Sequence, residues 1–244
     1  MPDTRRHRGP HPSDPELFAP GALPALRSAV ADLAWLSGRG YASESSLKLV
    51  GDRYALTARQ RIAVSRSMCN DTQLTARTAR ELSLEHCRGR TLWLDGFNVL
   101  TSLEVALSGG IILIGRDGCC RDIAGMHGHY RLLNETIPAI QLLTETLLSL
   151  GSKQAVIYLD QPVSNSGRLA QRLREVLEPK APHLTVQLVP DPDRILTQPP
   201  ADTIIATADS EVLDAGGSWI NLARSIIERQ IPDAWLISLT GTMQ

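Results

Sequence analysis

The pattern of hydrophobic positions changes abruptly near residue 90. Upstream of it, apolar residues recur at helical spacing, as at Leu26, Val30 and Leu33, and Ser43 and Thr57 are suitable N-cap residues for the two helices that follow. A fourth helix is predicted over residues 74–86. Downstream, short apolar runs alternate with longer helical stretches, which predicts a mainly parallel sheet with helices on both faces.

The predicted strands cover residues 92–94, 111–114, 155–159, 184–189, 203–207 and 234–239. The predicted helices among them cover residues 99–107, 135–150, 168–177 and 219–229. We therefore expect an α/β fold with three layers (α/β/α) over residues 89–244. It follows a small, basic, all-helical domain over residues 21–88 and a proline-rich, flexible tail over residues 1–20.

The charge is distributed unevenly between these parts. The chain of 244 residues has a net charge of −1. Residues 1–90 hold 14 Lys and Arg against 9 Asp and Glu, whereas residues 91–244 hold 11 against 17, giving net charges of +5 and −6. A basic part suits phosphate groups and an acidic part suits divalent cations. The alternative is that the two parts differ only in the charge of their surfaces.

Several classes of protein are excluded. No apolar run approaches the roughly 18 residues that a membrane-spanning helix needs, and the N-terminus lacks the apolar core of a signal peptide. Four cysteines are too few for a disulfide scaffold. We expect a cytoplasmic protein without a membrane partner. Its oligomeric state stays open, with a homodimer as one possibility.

Three predicted strands end in or just before an aspartate, namely Asp95, Asp160 and Asp209. The carboxyl ends of parallel strands meet at one edge of a sheet, so the three carboxylates should share one crevice there. Carboxylates favour Mg²⁺ or Mn²⁺, and Asp214 is a further candidate ligand. The amide of Asn98 could orient a bound group. For each acid, the alternative is that it caps the next helix.

The residues around Asp95 and Asp209 also carry a resemblance. Residues 94–100 (Leu-Asp-Gly-Phe-Asn-Val-Leu) resemble the first strand and turn of PIN-like nucleases, particularly the NYN branch with its Asp-Gly-aromatic-Asn motif. Residues 206–209 (Ala-Thr-Ala-Asp) resemble the later Thr-x-Asp strand end of the same superfamily. Residues 32–36, 39–41, 47–54 and 60–61 resemble an uncharacterised prokaryotic family that pairs a short helical domain with a PIN-like domain.

The resemblance implies a metal-dependent ribonuclease whose acids are Asp95, Asp160 and Asp209. It also implies a glutamate on a helix between the first and later acids, for which Glu104 and Glu135 are the candidates. This chain departs from the family pattern here, because neither Glu104 nor Glu135 lies at a spacing from Asp95 that is diagnostic of the family.

A long polar loop follows the predicted strand 111–114 and should emerge at the same sheet edge as Asp95. The candidate catalytic residues of this loop are Asp117, Arg121 and His127, and Arg131 is a candidate phosphate ligand. Cys119, Cys120, His127 and His129 match no standard zinc spacing. The alternative is a loop that packs over the sheet with its cysteines buried.

Other residues are candidates for RNA binding. Arg53, Arg59, Arg61 and Arg66 lie on or beside two predicted helices, and Ser164 and Ser166 precede a helix whose N-terminus could receive a phosphate. The alternatives are a solvated, ion-paired helix face and ordinary N-caps. We predict a Mg²⁺- or Mn²⁺-dependent endoribonuclease, with two alternatives: a catalytically inactive RNA-binding module, or a nucleotide phosphohydrolase.

Overall fold

The structure is a computed structural model that describes residues 7–123, 130–177 and 179–240. The N-terminal helices are α1 (Asp14–Leu17), α2 (Leu23–Ser37), α3 (Ser43–Arg53), α4 (Ala58–Ser67) and α5 (Asp71–Thr78), and a 3₁₀ helix covers Leu84–Cys87. The strands are β1 (Thr91–Asp95), β2 (Ile111–Ile114), β3 (Cys120–Asp122), β4 (Gln154–Asp160), β5 (Leu184–Val189), β6 (Thr203–Ala206), β7 (Ser218–Ile220) and β8 (Trp235–Ser238). The remaining helices are α6 (Gly96–Leu107), α7 (Thr136–Leu150), α8 (Ser166–Leu177), α9 (Pro192–Leu196), α10 (Ser210–Ala215) and α11 (Leu222–Gln230).

The main sheet has the strand order β5-β4-β1-β6-β7, and every neighbouring pair in it is parallel. Successive side chains of a strand alternate between two buried faces. Leu92 and Leu94 pack with residues of α6, α7, α8 and α11, whereas Trp93 packs with residues of α9 and α10 on the other face. The predicted α/β fold with a mainly parallel sheet and helices on both faces is confirmed.

A second sheet has the strand order β3-β2-β8. Strand β2 pairs antiparallel with β3 and parallel with β8, so neither β2 nor β8 joins the main sheet as the sequence suggested. The apolar side chains of β2 serve two cores. Ile111 and Leu113 pack with the N-terminal helices, and Ile112 packs with the core around α6. This small sheet therefore joins the helical region to the rest of the molecule.

Two predicted elements around Trp219 have different bounds in the structure. Helix α5 ends at Thr78, and the chain after it runs beside β7, where Leu82 N–H donates to the Trp219 carbonyl at 2.8 Å. Trp219 lies in β7 and not in a helix, and its Nε1 donates to the Arg77 carbonyl at 2.8 Å. Strand β7 forms by parallel pairing with β6, in which Trp219 lies opposite Ile205, and the segment after α5 adds an isolated bridge to Trp219.

The described part of the predicted tail, residues 7–20, contacts the rest of the molecule. Phe18 is buried with the core of the N-terminal helices, and the fully buried Asp14 forms an ion pair with Arg59. Arg8 Nε donates to Glu104 at 2.8 Å. This segment therefore bridges the helical region and α6. Among the described residues, no helix combines the length and apolar composition that crossing a bilayer requires.

Candidate functional site

The candidate site is a group of aspartates at the carboxyl edge of the main sheet. Asp95 ends β1, Asp160 ends the neighbouring β4, and Asp209 follows β6 by three residues. Helix α9 packs against β1 and β4 and adds Asp193. We call Asp95, Asp160, Asp193 and Asp209 the acidic edge. Asp193 was not among the predicted site residues, although it follows β5 by four residues and so resembles the other acids in following a predicted strand.

Asp95 is the most buried member of the acidic edge and is only 7% exposed. It is the N-cap of α6, because one carboxylate oxygen accepts a hydrogen bond from Asn98 N–H at 3.1 Å. The other oxygen accepts from the Thr207 hydroxyl at 3.1 Å. Burial raises the pKa of Asp95 to about 7, and the charges of Asp193 and Asp209 act in the same direction. The same carboxyl group therefore caps α6 and has a pKa well above the ordinary value for an aspartate.

The other members of the acidic edge lie nearer to solvent and repel one another. Burial, followed by the charges of Asp209, Asp160 and Asp191, raises the pKa of Asp193 to about 6. Burial and the charge of Asp191 also raise the pKa of Asp160. Since the charge of Asp209 acts on both Asp95 and Asp193, the carboxylates form one electrostatically coupled group. Such a group is stabilised by a proton or a cation.

Hydrogen bonds connect the two sequence motifs that suggested this site. The Asn98 amide oxygen accepts from Ala208 N–H at 2.8 Å, and the Thr207 hydroxyl oxygen accepts from Asp209 N–H at 3.0 Å. Close packing explains why residue 96 is a glycine. A Cβ there would lie 2.7 Å from side-chain atoms of Ile157 and Leu159 and 2.8 Å from the Tyr158 carbonyl oxygen. The motifs thus fix the ends of β1 and β6 relative to each other.

The donor atoms of the acidic edge determine which metal ion it could hold. Within the described ranges, no three His, Cys, Asp or Glu side chains are grouped closely enough to hold a metal by themselves. The donors are carboxylate and amide oxygens, which suit Mg²⁺ or Mn²⁺. Mg²⁺ keeps several water ligands and commonly binds through one or two carboxylates. The donor chemistry therefore fits a hydrated cation held by Asp95 and a neighbouring acid.

Three other predicted site residues belong to a buried ion network. Asp117 accepts hydrogen bonds from Arg121 at 2.9 and 2.6 Å and from Arg77 at 2.5 Å. Burial alone would raise the pKa of Asp117, but the hydrogen bonds and charges of Arg121 and Arg77 lower it to about 2. Asp214 accepts from Arg77 Nε at 2.7 Å and from Gln73 at 2.7 Å. The network joins α5 to α10, and its carboxylates are already neutralised.

Arg121 Nε donates to the carbonyl of Ala208, the residue before Asp209, at 2.8 Å. Both of its terminal nitrogens bind Asp117, so the guanidinium group is engaged within the protein. His127 and His129, like the rest of residues 124–129, lie outside the described residues. Cys119 and Cys120 are buried free thiols whose pKa is raised by burial. The described residues of this segment therefore make contacts within the protein, through Asp117, Arg121 and the two buried cysteines.

Glu104, the candidate helix glutamate, lies inside the protein. It is nine residues along α6 from Asp95, a distance of about 13 Å at 1.5 Å per helical residue. Its carboxylate accepts hydrogen bonds from the Tyr130 hydroxyl, from the Thr136 hydroxyl at 2.6 Å and from Arg8. Burial raises the pKa of Glu104. The structure therefore does not bring Glu104 to the acidic edge, and Glu135 contacts His7 instead, at 2.5 Å.

The four arginines predicted to bind RNA are mostly engaged in the protein. Arg59 pairs with Asp14, Arg61 pairs with Asp52 at 2.8 Å, and Arg66 donates to the Asp122 carbonyl at 2.6 Å. Arg53 is the exception, since its side chain is 71% exposed and lies 3.6 Å from Asp32. The alternative of an ion-paired helix face therefore describes Arg61 well.

The remaining candidates for RNA binding are Ser164, Ser166 and Arg131. The Ser166 side chain is buried and donates to the Gln161 carbonyl at 3.1 Å. The Ser164 carbonyl accepts from Tyr130 N–H at 3.2 Å. Arg131 directly follows Tyr130 and has an interaction of its own. Ser166 is thus used to fix the turn before α8.

The fold and the acidic edge define a class: a three-layer α/β protein with clustered carboxylates at the carboxyl edge of a parallel sheet and a helical region before it. Residues 84–225 match a family described as a domain of unknown function, DUF5616, and residues 25–80 match the protein of unknown function DUF434. The chain belongs to the DUF5616 family, and its DUF5616 part is preceded by a segment that matches DUF434.

One relative supports this assignment across both parts of the chain. Uncharacterized protein MJ0935 of Methanocaldococcus jannaschii is 32% identical over 189 residues, which cover 78% of this chain and 89% of that protein. No solved structure matches the chain significantly. The predicted membership of a two-part family of unknown function is confirmed.

Proposed function

We propose that the protein hydrolyses phosphodiester bonds of RNA at the acidic edge, with Mg²⁺ or Mn²⁺ as cofactor. The observation that carries the proposal is the coupled group of Asp95, Asp160, Asp193 and Asp209, in which two carboxyl groups have pKa values raised to about 7 and about 6. Perturbed acids gathered in one place are characteristic of functional sites. The resemblance of residues 94–100 and 206–209 to PIN-like nucleases supports RNA as the substrate.

The chain's own groups have separable roles in this proposal. Asp95 would bind the cation, and the Thr207 hydroxyl with Asn98 N–H would fix the orientation of its carboxylate. A bound cation supplies Lewis-acid stabilisation of the phosphoryl oxygen and lowers the pKa of its water ligand. Asp193, at the exposed rim with a pKa of about 6, is suited to accept a proton near neutral pH.

A phosphodiester also needs positive charge to approach a group of carboxylates. Two exposed arginines lie beside members of the acidic edge in the chain: Arg194 follows Asp193, and Arg168 lies in the first turn of α8, eight residues after Asp160. In the described part of the chain neither side chain forms an ion pair, in contrast to Arg121. We therefore assign substrate phosphate contacts to Arg168 and Arg194 and not to Arg121.

One observation favours a second candidate, a catalytically inactive RNA-binding module. In the described residues the acids do not form a compact metal site, and Glu104 is enclosed in the interior. In this case the acidic edge would contribute to the fold without chemistry. The two candidates differ in whether metal-dependent cleavage occurs.

The test is cleavage of fluorescent single-stranded RNA and DNA oligonucleotides and of free nucleotides, each with Mg²⁺, Mn²⁺ or EDTA. We expect metal-dependent cleavage of RNA by the parent and a loss of at least about 100-fold in Asp95→Asn and Asp209→Asn. The matched control is Asp202→Asn, because Asp202 is exposed and precedes β6, at the opposite end of that strand from Asp209. RNA binding without cleavage would support the inactive module, and equal cleavage by the parent and Asp95→Asn would contradict the site.

A further inference from the structure

The helical region has an open apolar groove between α2 and α3 that is distant in sequence from the acidic edge. Trp35 of α2 is 54% exposed and Leu49 of α3 is 61% exposed, and both line a cavity of about 630 Å³ together with Val50, Asp32 and Arg53. We call this cavity the α2–α3 groove. Contiguous exposed apolar side chains are a feature of interaction surfaces.

Arginine side chains lie over aromatic rings at this surface. The guanidinium carbon of Arg39 is 3.6 Å from the centroid of the Trp35 ring, and that of Arg53 is 5.6 Å from the centroid of Tyr54. Arg39 Nη1 also donates to the Trp35 carbonyl at 3.3 Å, which holds it over the ring. Planar guanidinium groups stack on aromatic faces and on nucleobases in the same way. The surface therefore already has its stacking groups in place.

The charges at the groove remain available to a ligand. Within the described residues Arg39 has no carboxylate partner, and Arg53 is paired with Asp32 at the long distance of 3.6 Å between two exposed groups. Exposed ion pairs of this kind contribute little stability and exchange partners readily. A phosphate could thus bind Arg39 and Arg53 without disrupting a buried contact, unlike Arg59 with Asp14.

We propose that the α2–α3 groove binds single-stranded RNA, with a base stacked on the Arg39 guanidinium that lies over the Trp35 ring at the mouth of the groove. The adjoining phosphates would pair with Arg53 and with the edge of the Arg39 guanidinium. The inference rests on the proposed function in taking RNA as the ligand. A single strand is favoured over a duplex because only unpaired bases can stack on a side chain. It is favoured over an apolar protein helix because such a helix would remove both guanidinium groups from water without pairing them.

The test measures binding of a fluorescein-labelled single-stranded RNA to the full chain in EDTA, by anisotropy at several salt concentrations. We expect Trp35→Ala to weaken binding at least about fivefold and Trp35→Phe to weaken it less, because stacking on a ring is retained. Arg39→Lys should weaken binding and keep the salt dependence, whereas Arg39→Gln should also reduce the slope by about one. Ile62→Ala is the matched control, since Ile62 is 44% exposed on α4 and does not line the groove.

Each outcome supports or contradicts RNA binding at the α2–α3 groove. RNA affinity that is the same in the parent, Trp35→Ala and Ile62→Ala would overturn the inference and leave the surface to a protein partner. A parent that binds no single-stranded RNA would overturn both the inference and RNA as the substrate. If Trp35→Ala weakens binding while Asp95→Asn cleaves RNA like the parent, the proposed function fails and the groove stands. Should Trp35→Ala not fold, Trp35→Phe and Arg39→Lys carry the same comparison.

Discussion

The replacement Asp95→Asn should make the protein more stable at neutral and alkaline pH. Asparagine has nearly the same shape, can still accept the Asn98 N–H as an N-cap, and can donate to the Thr207 hydroxyl oxygen. What it removes is the negative charge of a side chain that is 7% exposed and faces the charges of Asp193 and Asp209. The substitution therefore separates the capping role of Asp95 from the cost of its ionisation.

The size and sign of the effect follow from the pKa. Asp95 has a pKa raised from 3.8 to about 7 in the folded protein, mainly by burial. Because the folded state holds this proton more tightly, the parent loses stability as the pH rises from about 4 to about 7, and the loss is complete above pH 7. A shift of about three pKa units corresponds to about 4 kcal/mol. The free energy of unfolding of Asp95→Asn should exceed that of the parent by roughly 4 kcal/mol at pH 8 and by less than half of that at pH 5.

The assay is urea unfolding of the parent, Asp95→Asn and Asp202→Asn at pH 5, 6, 7 and 8 in EDTA. Asp202 is exposed, so its variant should follow the parent at every pH. In a separate series at pH 8 without EDTA, Mn²⁺ should raise the free energy of unfolding of the parent more than that of Asp95→Asn, so the difference between the two proteins should decrease. An Asp95→Asn variant that is less stable than the parent by a constant amount at all four pH values would refute the reasoning. That result would make Asp95 an ordinary helix cap.

Two further predictions concern groups that hold the site in place. Arg77→Ala should lower the free energy of unfolding by about 3–5 kcal/mol, since it leaves the buried Asp117 and the neighbouring Asp214 with one guanidinium fewer. In urea unfolding, a loss below about 1 kcal/mol would contradict the ion network. Gly96→Ala should cost about 1–3 kcal/mol because its Cβ would meet Ile157 and Leu159 at 2.7 Å. Gly167→Ala, where a Cβ would meet nothing within 4 Å, is the control and should be neutral or stabilising.

Much of the α/β framework could be predicted from local sequence. The alternation of Leu92, Trp93 and Leu94 assigns both the strand and the two faces that its side chains enter. An aspartate at the end of such a strand must then lie at the carboxyl edge of a parallel sheet, and this rule located Asp95, Asp160 and Asp209. These features depend on residues that are neighbours in the chain, so the order of amino acids alone determines them.

The roles of the charged side chains depend on contacts that form only when the chain folds. Arg59 is neutralised by Asp14 from the proline-rich N-terminal segment, Arg77 by Asp117 and Asp214, and Glu104 by Arg8. In each pair the partners are at least 40 residues apart in the chain. The strength of an ion pair depends on burial and on the distance between two groups, and neither quantity is present in a local pattern. The sequence could therefore supply the acids of the edge, while folding determined which charges remain free to meet a ligand.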